Sequence, residues 1–222
     1  MKSSSAKTTH IDQRLEQARS WLRQLGVNLD SQFQDIAGDA SFRRYFRLQA
    51  DGESRILMDS PSPADDIEPF IEIDRRLREA GLHAPEIIYA DGQSGFLLLE
   101  DLGDELYRGL LTEHNVDSLF PGLFDVLRDL AVTADTTGLP RFNYRRLRRD
   151  MDLFPNWYLG RHRTALPREQ FDNLWDNFCV SIIDSALEQP QCFVHRDFHS
   201  CNLLRTGNNT IGIIDFQDAV KG

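Results

Sequence analysis

The chain has 222 residues, of which 41% are hydrophobic and 27% charged, with a formal net charge of −10. That length buries a core in one domain, or in one domain split into two lobes, and the negative balance argues against nucleic acid as a partner. No apolar run reaches the length that spans a bilayer, and the polar start Met1-Lys2-Ser3-Ser4-Ser5-Ala6-Lys7 is unlike a secretory signal.

Ile11, Leu15, Ala18, Trp21, Leu22 and Leu25 form a stripe at helical spacing, so the sequence predicts a helix over 11–25, stopped by Gly26. The pattern then changes to short strands at 33–37, 42–48 and 55–58, with Asp51-Gly52 as the hairpin turn between the last two. Ile67, Phe70, Ile73 and Leu77 predict a second helix, ended by Gly81. Two more strands follow at 87–90 and 96–100, across Asp91-Gly92-Gln93-Ser94-Gly95. Residues 30–100 therefore read as a five-stranded antiparallel sheet with one helix inserted after the third strand.

Beyond Asp101-Leu102-Gly103 the pattern is helical. Leu119, Leu123, Leu127 and Leu130 make one stripe, and residues 144–161 a second helix, interrupted near Pro155. Phe171, Leu174, Phe178 and Ile182 make a third, ended near Pro190. The basic run Arg145-Arg146-Leu147-Arg148-Arg149 reads as a solvated helix face. Cys179, Cys192 and Cys201 lack metal-type spacing and leave one thiol unpaired, as in a reduced, cytoplasmic protein. The fold class is α+β with two lobes: an N-terminal helix over 1–29, a sheet lobe over 30–102 and a helical lobe over 103–222.

The chemistry is concentrated near the C-terminus. Val194-His195-Arg196-Asp197-Phe198-His199-Ser200-Cys201-Asn202 is followed by Ile213-Ile214-Asp215-Phe216-Gln217-Asp218. A strand–turn–strand hairpin between them brings Asn202 and Asp215 back to one end. Phosphoryl transfer asks for positioning and charge neutralisation more than covalent help. Asp197 is the candidate base for the attacking hydroxyl. Asn202 and Asp215 are candidate ligands for Mg²⁺, which prefers oxygen donors. His195 and Asp218 are candidate supporting residues.

A nucleotide is expected in the cleft between the lobes. Gly38-Asp39-Ala40-Ser41-Phe42-Arg43-Arg44-Tyr45 stands where kinases place a glycine-rich phosphate loop, and it matches that pattern in part. The candidate nucleotide-binding residues are Ser41, Phe42, Arg43, Arg44 and Tyr45, with Glu100 and Leu102 binding the adenine edge through main-chain groups. The strand lysine expected after this loop is absent. Met58 sits near its place, and the only lysines are Lys2, Lys7 and Lys221. Strand alternation puts Arg43, Tyr45 and Arg47 on one face and Phe42, Arg44 and Phe46 on the other. Arg43 is thus the first candidate for the missing phosphate-side cation, with Arg44 and Arg47 behind it.

These segments carry a resemblance. The chain resembles the aminoglycoside phosphotransferase / choline kinase superfamily, whose fold is protein-kinase-like. His195 to Leu204 is similar to that family's catalytic loop, and Ile213 to Ala219 to its metal-binding segment. The blocks from Gly38 to Arg47, Met58 to Pro61, Gly95 to Asp104, Asp152 to Gly160 and Asp215 to Gly222 are similar to the bacterial N-acetylmuramate/N-acetylglucosamine anomeric kinases. The resemblance implies ATP and Mg²⁺ as cofactors. It also implies transfer to the anomeric hydroxyl of an amino sugar in cell-wall recycling, with Asp197 facing the acceptor oxygen and no obligate protein partner. Aminoglycosides, choline and homoserine remain alternative acceptors, and a nucleotide-binding pseudokinase is an alternative of a different class. Members of the family continue past the position of Gly222 with helices that wall the acceptor site, so weak or absent turnover is expected of the 222-residue chain.

Overall fold

The structure is a computed structural model that describes residues 4–36, 43–61, 67–159 and 168–222, with side chains from Gln13 in the first helix and from Gln170 in the last. Helix α1 (Ser4–Gln24) precedes a five-stranded sheet. Its strands are β1 (Gln34–Ile36), β2 (Arg44–Ala50), β3 (Glu53–Asp59), β4 (Ile87–Asp91) and β5 (Phe96–Glu100), in spatial order β1-β2-β3-β5-β4. Every pairing is antiparallel, and helix α2 (Glu68–Glu79) is inserted between β3 and β4. At the Asp51-Gly52 turn both residues have positive φ, 52° and 79°. That is the backbone twist a two-residue hairpin requires.

The two faces of the sheet bury different partners. Ala18 and Leu22 of α1 are fully buried against Leu48, Leu57 and Leu98 on one face. Burial of each leucine contributes about 1.5–3 kcal/mol. On the other face Met58 and Leu97 join Phe70, Ile73 and Leu77 of α2. That second core continues into Leu203, Ile213 and Phe216, so the sheet lobe and the catalytic segment share one apolar interior.

The second lobe follows with α3 (Tyr107–Leu110), α4 (Val116–Thr133) and α5 (Tyr144–Leu153). The predicted interruption near Pro155 appears as a π-helical segment, Phe154–Leu159. Proline has no N–H to donate and its ring crowds the preceding turn, which favours a widened turn there. Helix α6 (Arg168–Leu187) leads to two small antiparallel pairs. They are β6 (Phe193–Val194) with β9 (Val220–Lys221), and β7 (Leu203–Arg205) with β8 (Ile211–Ile213). The β6–β9 pair was not expected. Arg76 of α2, which is 7% exposed, donates to the Asp135 and Thr137 carbonyls beyond α4 and binds the lobes together. Phe124, Trp157, Leu174 and Phe178 remain exposed on the helical lobe.

Candidate active site

The catalytic segment is built from the β7–β8 hairpin outward. Asn202 precedes β7 and Asp215 follows β8, and the antiparallel register Leu203↔Ile213 sets them side by side. Asn202 is 8% exposed, and its Nδ2 donates to the Asp197 carbonyl at 3.0 Å and to Asp215 Oδ2 at 3.2 Å. Gln217 Nε2 donates to the other oxygen, Oδ1, of Asp215 at 2.8 Å. With both donor hydrogens of Asn202 so directed, a neutral amide oxygen and an anionic carboxylate remain as oxygen donors on two adjacent side chains. That is the donor chemistry Mg²⁺ takes when phosphate oxygens and waters complete its shell. Among the described residues no group of three or more His, Cys, Asp or Glu side chains is placed to hold a metal alone.

Asp197 is exposed beside this pair. The loop that carries it is fixed at both ends. Arg196 has φ 77° and Asp215 φ 61°, left-handed conformations uncommon for residues other than glycine. Arg196 Nη2 pairs with Asp150 Oδ2 of α5 at 3.1 Å, and its guanidinium lies over the Phe142 ring. His195 is 3% exposed, and its Nδ1 accepts the Asp197 N–H at 3.3 Å. Burial holds its pKa below the usual histidine value, favouring the neutral ring that this acceptor role needs. His195 thus supports the loop from beneath. Asp218 is exposed and does not line the cleft.

Between the lobes lies a cavity of about 500 Å³, lined by Arg43, Tyr45, Leu102, Asn202, Asp215 and Gln217 among others. Its floor includes Phe216, packed on Phe70 of α2 with ring centroids 4.8 Å apart. Tyr45 stands opposite Met58 in the β2–β3 register. Burial raises its phenol pKa; the hydrogen-bonded Arg43 opposes that shift and Asp215 adds to it. The cavity therefore gathers Arg43, Tyr45, Asp215 and Asn202 from opposite lobes.

Other expected residues are placed elsewhere. Ser41 and Phe42 lie outside the described residues. Arg44 points to the far face of the sheet, where it pairs with the fully buried Asp59, so the structure does not bring it into the cleft. Arg14 of α1 takes the other Asp59 oxygen, with its Nε at 3.1 Å. Alternation along β2 makes this outcome unavoidable once Arg43 and Tyr45 face inward. Arg47 lines the cleft but is spent on the connector. It holds Asp101 at 2.6 Å and 2.9 Å and Asp104 at 2.8 Å. Burial opposes ionisation of Asp101, yet Arg47 and the Ser54 hydroxyl keep its pKa below the usual carboxylate value. The Glu100 N–H is occupied by the Glu86 carbonyl at 2.8 Å, which leaves its own carbonyl as the main-chain group for a ligand. Leu102 lines the cavity, and no hydrogen bond among the described residues engages its N–H. Gln217 was missed in the sequence, although it stands two residues from Asp215 and only its contact reveals its part.

A family profile described as "Phosphotransferase enzyme family" matches residues 32–222. The chain is 41% identical over 186 residues to the N-acetylmuramate/N-acetylglucosamine kinase of Pseudomonas aeruginosa, covering 84% of this chain and 55% of that protein. It is 38% identical over 218 residues to the enzyme of the same name from Pseudomonas putida, covering 90% and 64%. The chain thus spans somewhat over half the length of these relatives. Among solved structures, the streptomycin–ATP–APH(2'')-IIa ternary complex superposes with a TM-score of 0.64 at 17% identity, over 93% of this chain and 71% of that one. A choline/ethanolamine kinase family protein from Mesorhizobium loti gives 0.62 at 15%, over 94% and 66%. These likenesses carry the two-lobed kinase-like fold, and the match over residues 32–222 carries the family: the chain belongs to the phosphotransferase enzyme family.

Proposed function

We propose that this chain carries the nucleotide and metal machinery of an ATP-dependent cytoplasmic kinase that phosphorylates the anomeric hydroxyl of N-acetylmuramate or N-acetylglucosamine. The observation that supports this most is the Asn202 side chain, which joins the Asp197 loop to Asp215 at the mouth of an interlobe cavity. The acceptor reading is supported by relatives at 41% and 38% identity that are named for these two sugars.

In this reading the adenine edge meets the Glu100 carbonyl and the Leu102 N–H, and Arg43 faces the phosphates. Asn202 and Asp215 would hold Mg²⁺, which supplies charge neutralisation on the phosphate oxygens. Asp197 takes the proton from the acceptor hydroxyl as that oxygen bonds to the γ-phosphorus, and ADP leaves with the electron pair of the broken bond.

The test is ADP release over N-acetylmuramate, N-acetylglucosamine, kanamycin, choline and homoserine. It is run on this chain and on the same chain carried to the relatives' full length. The two amino sugars should drive turnover. Turnover confined to kanamycin, choline or homoserine would overturn the acceptor. MgATP binding with no turnover on any acceptor would make the protein a nucleotide-binding module instead.

A further inference from the structure

We propose that His83 is a positioning residue that ties the adenine-side connector to the catalytic hairpin, and so fixes the span between the two ends of the cleft. This rests on the reading of that cleft as an ATP site. His83 lies in the loop between α2 and β4. Its Nε2 is 3.0 Å from Glu100 Oε1 and its Nδ1 is 2.8 Å from Thr210 Oγ1. Glu100 ends β5 and enters the connector. Its Oε2 accepts the Glu86 N–H at 3.1 Å, so the carboxylate is oriented before His83 meets it. Thr210 belongs to the turn between β7 and β8, where its carbonyl accepts the Thr206 N–H at 3.0 Å.

The backbone of His83 makes the same connection. Its carbonyl accepts the Ile213 N–H at 2.9 Å, two residues before Asp215. One residue thus touches the start of the connector with its ring and the hairpin with both ring and main chain. An imidazole suits this place because its two polar atoms sit on opposite sides of a rigid ring. With Nε2–H donating to Glu100, Nδ1 faces the Thr210 hydroxyl as an acceptor, and that hydroxyl also meets Asn208 Oδ1 at 2.8 Å and Thr206 Oγ1 at 2.7 Å within the turn.

The surrounding packing shows why such a link is needed. The outgoing connector is fastened to β7, where Arg205 N–H donates to the Glu105 carbonyl at 2.8 Å and Leu106 bridges Leu204. On the β8 side the connector passes over Gly212, where an added Cβ would lie 2.9 Å from Leu102 Cδ1. β8 therefore offers no side chain with which to grip the connector at that crossing. His83 supplies the grip from the sheet lobe, so the hairpin is held along both edges. Loss of the His83 link should leave each end of the cleft intact while loosening their spacing.

The experiment compares adenosine, which lacks the phosphates that reach the metal end, with MgATP, which carries them there. Calorimetric titration of wild type, His83→Ala, Thr210→Val and Thr210→Ser gives both affinities, with melting temperature recorded alongside. Adenosine affinity should stay within about twofold throughout. MgATP affinity should fall about fivefold to tenfold in His83→Ala and Thr210→Val, the scale of one lost hydrogen bond. Thr210→Ser, which keeps the hydroxyl, should behave as wild type. Equal losses for adenosine and MgATP, or no loss for either, would overturn the proposal. If His83→Ala does not fold, the exposed Thr210 pair decides: Val and Ser behaving alike sinks the link. A wild-type protein that binds neither ligand overturns the ATP reading, and the link with it.

Discussion

The side-chain nitrogen of Asn202 reaches the Asp215 carboxylate at 3.2 Å, across the end of a hairpin that separates them by thirteen residues. This contact holds the two metal-ligand candidates together. Asn202→Asp should replace it with two facing carboxylates and also remove the donor to the Asp197 carbonyl. The expected outcome is a loss of about 1–3 kcal/mol in magnesium-free buffer. Magnesium should restore more stability to this variant than to wild type. Thermal melts in the presence of ATP, with and without MgCl₂, measure both effects, and a melting temperature blind to magnesium in both proteins would remove the pair as a metal site.

Asp197→Asn should lower turnover by about 10²–10⁴-fold, the usual range for loss of a general base. MgATP affinity should not change, because Asp197 stands outside the cavity lining. Single-turnover kinetics beside equilibrium titration separate the two, and undiminished turnover would refute Asp197 as the base.

Arg43 and Arg44 are neighbours with opposite placements. Arg43→Ala should weaken MgATP binding by about tenfold, as expected for a lost charge-assisted contact. Arg44→Ala should spare MgATP binding and lower stability, since it strips one of the two arginines from the buried Asp59. Removing a partner from a buried ion pair costs about 3–5 kcal/mol, and somewhat less here because Arg14 remains. Urea unfolding and nucleotide titration of both variants give the comparison. Equal losses of nucleotide affinity would mean that the two faces of β2 are wrongly assigned.

Asp74 of α2 is 4% exposed and its Oδ1 has no hydrogen-bond partner among the described residues. Its pKa is pushed up to about 7. Burial is the main cause; Arg78 on the same helix opposes the shift, and Glu100 and Glu86 add to it. A folded-state pKa above the unfolded value means that the folded protein binds the extra proton. Stability from this group therefore falls as pH rises from about 4 to about 7 and is flat beyond. Asp74→Asn should stabilise the protein at pH 8, by a few kcal/mol at most, and hardly at all near pH 4. Melting curves across that window test the sign; a benefit that shrinks with rising pH would contradict it.

The five-stranded sheet and its inserted helix were legible because their apolar residues recur at periods of 2 and 3.6. The meeting of Asn202 with Asp215 was legible too, since a hairpin of known spacing leaves little freedom. The β6–β9 pair was not, because two residues per strand carry no periodicity. His83 and Gln217 were invisible for another reason. Their roles depend on partners that no local pattern announces, such as Thr210, far along the chain from His83. Arg44 is the instructive case. The alternation that excludes it was readable, but its buried partners Asp59 and Arg14 appear only in the packed sheet.

Arg196, beside Asp197, and Asp215, just beyond β8, both adopt left-handed backbone. Glycine or asparagine would hold either position with less strain, by about 1 kcal/mol or more each. A chain tuned for endurance alone would choose them. The arginine's grip on Asp150 and the aspartate's carboxylate cannot be supplied by glycine. At these two positions a stabilising screen blind to function would therefore trade catalysis for endurance.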